Sequence, residues 1–137
     1  MNNSLFIFKP RRVNKRTLIL RKKLEQSMTI DHFYKTIIIP KDLIYIDCLM
    51  LEKFYQGYTV DVVGDINLFD DNLDQLPLIN FNKITGFFSC SSNKLTSLQY
   101  APKYVNRDFF CGNNSTRFTK EDVLKQSDVK GEIRVFW

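Results

Sequence analysis

Residues 87–98 read FFSCSSNKLTSL, a polar stretch crossed by apolar residues at uneven intervals. Phe88, Cys90, Leu95 and Leu98 take places 1, 3, 8 and 11 of a pattern whose sixth place is Asn93. Twenty-two residues earlier the same spacing returns as Ile66, Leu68, Leu73 and Leu76, with Asp71 sixth. A further 22 back stand Ile44, Ile46, Leu51 and Phe54, with Leu49 sixth. Moving 21 forward gives Phe109, Cys111 and Asn114, with Thr116 and Thr119 in a weaker tail. Another apolar position precedes each unit: Pro40 or Ile39, Val62, Ile84 and Val105. Self-similarity at a fixed period of this length marks a stack of repeats.

The spacing has a physical cause. Places 1 and 3 lie two apart, so both side chains of a short strand point to one face. The turn that follows swings the backbone inward, and a sixth-place Asn can donate to and accept from the groups it leaves unpaired. Places 8 and 11 return Leu beneath the strand. Each unit then buries its apolar row only against its neighbours.

INLFDDNLDQLP and FFSCSSNKLTSL resemble the leucine-rich-repeat pattern L-x-L-x-x-N-x-L-x-x-L. The run NKITGFFSCSSNKLTSLQYAPKYVNRDFFCGNN, followed by FTKEDVLKQSDVKGEI, is similar to small leucine-rich-repeat-like proteins of tailed bacteriophages. The likeness covers residues 60–133 well and 39–59 loosely. It implies an α/β fold, a short right-handed leucine-rich-repeat-like solenoid of three to four coils with parallel strands on one side and αβ caps at both ends. It also implies a phage-encoded surface that binds another protein. Three positions depart from the pattern: Asp71 cannot donate as Asn does, Leu49 makes the first coil degenerate, and Arg107 stands where the family prefers Gly.

One structural domain is expected, divided into a basic cap at 1–38, coils at 39–118 and a helix–strand cap at 119–137. Thr119 and Asp122 form a capping-box spacing, which predicts a helix over 120–127 with Val123 and Leu124 inward. EIRVFW then reads as a last strand with Ile133 and Val135 on one face. At the amino end, SLFIF reads as an edge strand, 16–28 as a helix and HFYKTIIIP as a strand entering the first coil.

Charge is distributed unevenly. The net charge is +5, but residues 1–23 carry Lys9, Arg11, Arg12, Lys15, Arg16, Arg21, Lys22 and Lys23 with no acid. Such a segment suits an acidic protein surface, or a phosphate backbone with salt-sensitive affinity; the plain alternative is a solvated cap. Most of the twelve Phe are packing residues, since Phe88 and Phe109 hold core places. Phe87, Tyr104 and Phe110 are the aromatics expected to face outward, where such residues anchor protein interfaces.

Other functions find little support. Cys48, Cys90 and Cys111 form no C-x-x-C pair, and the single His32 has no defensible nucleophile, so neither a catalytic site nor a metal site is expected. Asp70, Asp71 and Asp74 lack EF-hand spacing, and with neither G-x-x-x-x-G-K nor G-x-G-x-x-G and five glycines in all, a phosphate-cradling loop is hard to build. No cofactor or small-molecule substrate is expected. No apolar run approaches the roughly 20 residues a membrane helix needs. The opening MNNSLFIFKPRR places its apolar run before its positive charges, the reverse of a secretory signal, so the expectation is no membrane and a cytoplasmic location, that of the host if phage-encoded. The expected function is non-enzymatic protein binding that modulates or inhibits a host protein, with RNA or DNA contact through the basic segment as the alternative.

Overall fold

The computed structural model describes residues 15–31 and 35–136. The expected SLFIF strand, His32 and the cations Lys9, Arg11 and Arg12 lie outside the described residues. Among the described residues the first element is helix α1 (Lys15–Ser27), followed by strands β1 (Thr29–Asp31), β2 (Thr36–Ile39) and β3 (Leu43–Ile44). Helix α2 (Tyr45–Phe54) follows, then β4 (Thr59–Val62), β5 (Ile66–Asn67), β6 (Asn80–Ile84) and β7 (Phe88–Ser89). The last elements are β8 (Tyr104–Val105), β9 (Phe109–Phe110), helix α3 (Lys120–Gln126), β10 (Asp128–Val129) and β11 (Ile133–Arg134).

Successive strands feed two sheets in turn. One runs β1-β2-β4-β6-β8-β10 and the other β3-β5-β7-β9-β11, parallel throughout except for the antiparallel β1–β2 pair. In the second sheet Leu43, Ile66, Phe88, Phe109 and Ile133 pair in one register, and the first four are buried. The Phe88 and Phe109 rings lie 5.1 Å apart at 51°. Burying a side chain of this size is worth about 1.5–3 kcal/mol, so the column is a main source of cohesion.

The extra apolar position before each unit builds a whole sheet. Ile39, Val62, Ile84, Val105 and Val129 pair in register, and the first four are buried. Strands were expected on one side alone, whereas the structure places parallel sheets on two. The reason is that the apolar residue ending each strand of the first sheet is followed within a few residues by the first place of the pattern.

The amino-terminal unit also departs from expectation by one residue. Leu43, not Ile44, pairs with Ile66, and Ile44 is exposed. The sequence that follows is helical, so the Leu49 turn does not exist. Asp47 accepts the Ile44 N–H at 3.0 Å and caps α2, while Cys48 and Leu51 face the core.

The middle turns are closed by asparagine. The Asn93 Oδ1 accepts from the Asp71 and Leu73 N–H groups, both at 3.0 Å. Its Nδ2 donates to the Leu68, Cys90 and Ser91 carbonyls. Asn114 repeats this one unit on, accepting from Leu95 N–H and donating to Cys90, Cys111 and Gly112. Each amide therefore closes its own turn and the one before it. The unit containing Asp71 is closed by Asn93, which is how the chain tolerates a sixth-place residue that cannot donate. Asp70, Ser92 and Asn113 hold φ of 57°, 58° and 55° at the equivalent bend, a region short polar side chains tolerate best.

At the carboxyl end, Thr119 Oγ1 accepts the Asp122 N–H and Asp122 Oδ2 accepts the Thr119 N–H, as the capping-box spacing requires. Those bonds from Thr119 hold the Asp122 carboxyl below its usual range. Val123 is buried but Leu124 is exposed, contrary to expectation, because a seven-residue helix offers the core a single narrow stripe. The final segment makes two short strands rather than one, one in each sheet.

Candidate protein-binding face

On the outer side of the second sheet, the residue before each strand is Asp42, Asp65, Phe87, Asp108 and Glu132 in turn. Asp42 Oδ1 accepts the Asp65 N–H, Asp65 Oδ1 the Phe87 N–H and Asp108 Oδ1 the Glu132 N–H, each at 2.8 Å. These carboxylates pack where a side chain of the next unit would begin. A Cβ on Gly86 would overlap Asp65 Oδ1, and one on Gly131 would overlap Asp108 Oδ1. Gly64 stands against Asp42 in the same way. Aspartate in one unit thus requires glycine in the next.

The series breaks once. Phe87 replaces the aspartate, and in the following unit Arg107 replaces the glycine. With no carboxylate beneath it, Arg107 has room for its Cβ, and the Asp108 N–H takes no acceptor among the described residues. The departure at Arg107 therefore has its cause at Phe87. Leaving one N–H without its partner costs stability unless water or a ligand satisfies it.

Phe87 and Phe110 meet edge to face, 5.8 Å apart at 87°. Both are half-buried, less exposed than the outward placing expected for them. Beside Phe110 lies a hollow of about 390 Å³ lined by Ser91, Asp108, Phe110, Arg134 and Phe136. Ser91 on its lining is buried, and the chain at Phe136 passes over Gly112. Phe136, which lines the hollow, is 77% exposed, and Phe69 is 46% exposed. Neither was singled out in the sequence. Both stand an even number of residues from outward strand positions Asn67 and Arg134, the alternation that would have marked them.

Tyr104 is exposed but lies on β8 of the other sheet, so it does not join the phenylalanine pair. Of the basic residues, Lys15, Arg16, Lys22 and Lys23 are exposed on α1. At 100° per residue they fall on one arc, opposite the buried Leu24. Arg21 faces inward, pairing with Glu25 at 3.3 Å and lying 4.3 Å over the Phe54 ring. Glu25 also accepts the Tyr55 hydroxyl, whose pKa is pushed up to about 12 by burial first and by this bond second.

All three cysteines are buried free thiols. Burial raises the pKa of each, that of Cys111 to about 12, so none is poised as a thiolate. Among the described residues no group of three or more His, Cys, Asp or Glu is placed to hold a metal, and no helix is long and apolar enough to cross a membrane. Comparison of the chain with protein-family models, curated proteins and solved structures finds no match.

Proposed function

We propose that this protein is a non-enzymatic binding module, a short leucine-rich-repeat-type solenoid that grips a protein partner with the outer face around Phe87 and Phe110. The observation that carries the reading is the interrupted aspartate–glycine series. Three units follow the structural rule, and the one that breaks it gives up a backbone hydrogen bond to put an aromatic ring on the surface. Paired aromatics beside a hollow are typical of the anchors that carry interface energy. The likeness of the repeats to phage proteins makes a host protein the natural partner, modulated or inhibited by being bound in the cytoplasm.

The test restores the rule. Phe87→Asp with Arg107→Gly rebuilds the aspartate–glycine pair, so the double variant should unfold at or above the parent's midpoint. A partner captured from nuclease-treated host lysate by the parent should bind this variant at least about tenfold more weakly. Retention of full affinity by the folded double variant would defeat the reading.

One observation favours nucleic acid as a second reading: four uncompensated cations share one exposed arc of α1. Its mark would be oligonucleotide affinity that falls steeply with salt and is abolished by Lys15→Glu, Arg16→Glu, Lys22→Glu and Lys23→Glu together.

A further inference from the structure

Helix α2 is apolar on two opposite faces. Cys48 and Leu51 enter the core, while Ile46, Leu49 and Met50, at i, i+3 and i+4, form a second stripe. A surface helix ordinarily carries one such stripe, and a helix apolar all round is ordinarily covered. Here α1 covers part of the second stripe, and what remains is a groove of about 420 Å³ between the two helices. Leu20 of α1 and Leu78 of the loop before β6 line it with Ile46 and Leu49, and Leu78 is 47% exposed.

Charge around the groove leans positive: its lining holds Arg16 and Lys53 against the single carboxylate of Glu52. Every acid on the two helices is engaged: Glu25 by Arg21 and Tyr55, Asp47 by Lys41 and the Ile44 N–H, and Glu52 by the Leu78 N–H. The cations are not. Arg16 and Lys53 stand on the groove's two walls, Lys15, Lys22 and Lys23 continue the positive charge along α1, and no ion pair among the described residues engages any of them.

We infer that the groove between α1 and α2 docks an acidic amphipathic helix of a partner protein, its apolar stripe on Leu20, Ile46, Leu49 and Leu78 and its carboxylates toward Arg16 and Lys53. A helix laid between two others completes a three-helix packing at ordinary spacing, and an apolar floor rewards anchors at i, i+3, i+4 and i+7. A phosphate backbone would use the cations but leave that floor wet, which is why the occupant is protein. This surface is separate from the phenylalanine face and does not depend on it.

The test selects peptides of about 16 residues, some four helical turns, from a displayed random library against the full chain. The expected winners are rich in Asp and Glu and carry apolar residues at helical spacing. Against the best of them, Leu49→Glu should weaken binding about 20-fold and Arg16→Glu with Lys53→Glu about tenfold. The charge-reversed pair should in turn favour the same peptide with its Glu changed to Lys. Thermal unfolding checks that Leu49→Glu folds, and Leu78→Glu replaces it if it does not.

Four results would overturn the inference. One is winners with no acidic bias, or winners indifferent to both Leu49→Glu and Leu78→Glu. A second is displacement of the winners by a single-stranded oligonucleotide that binds the groove variants as poorly. A third is a dimer in sedimentation that Leu49→Glu dissolves, making a second copy the occupant. The last is tighter peptide binding, by about tenfold, when Leu5, Phe6 and Phe8 are changed to Ser, making the chain's own amino end the occupant.

Discussion

The unit that begins at Phe88 and the unit that begins at Leu43 hold equivalent places in the same sheet, yet they close in different ways. After Phe88 the chain bends sharply, and the buried Asn93 amide makes five hydrogen bonds across two units. After Leu43 the backbone satisfies itself as α2, and no asparagine is needed. The Asp71 unit lies between these cases: it has no amide of its own and borrows that of Asn93. The difference teaches that turn closure here belongs to pairs of neighbours, and that it begins only where the helix ends.

The comparison can be broken most forcefully at the column both units share. Phe88→Ala removes a fully buried ring between Ile66 and Phe109 and should cost about 4 kcal/mol, read as a fall in the urea midpoint. Asn93→Ala should cost about 3 kcal/mol, because buried carbonyl and N–H groups in two units lose their partner together. Asn93→Asp keeps the acceptor and loses the donor, so its cost should fall between parent and alanine.

Asp71→Asn sharpens the contrast in the other direction. The carboxyl is held above its ordinary range by burial first and by Asp70 second. A group whose folded pKa is raised favours the native state in acid and loses that contribution as pH rises through its unfolded value toward its folded one. The variant should therefore be slightly more stable than the parent at neutral pH in urea unfolding, with the gain fading as pH falls through the carboxyl's unfolded value. Smallest of all, Leu49→Asn should change the unfolding free energy in urea by no more than about 0.5 kcal/mol, since the helix offers that amide no turn to close.

Much of this was legible beforehand where sequence and backbone share one period. Ile66, Phe88 and Phe109 announce their column because each is followed two residues later by another buried side chain, Leu68, Cys90 or Cys111. Thr119 and Asp122 announce their cap because both partners lie within one turn. In the first unit Ile44 and Leu43 are both apolar, and only the strand pairing tells them apart. Alternation places Phe87 and Phe110 off the core column of Phe88 and Phe109, and the structure leaves both half-buried. Their relation to Arg107 was not legible, because the rule linking an aspartate to the next unit's glycine is a contact between residues 21 or more apart.

The in-register pairing of successive strands sets a scale for the whole molecule. Each added unit lengthens the stack by roughly one interstrand spacing, about 4.8 Å. Duplicating a unit between α2 and β7 would slide the helical groove and the phenylalanine pair apart by that increment while leaving both intact. The stack thus works as a ruler, graduated in strands, that sets the distance between the helical groove and the phenylalanine pair without altering either.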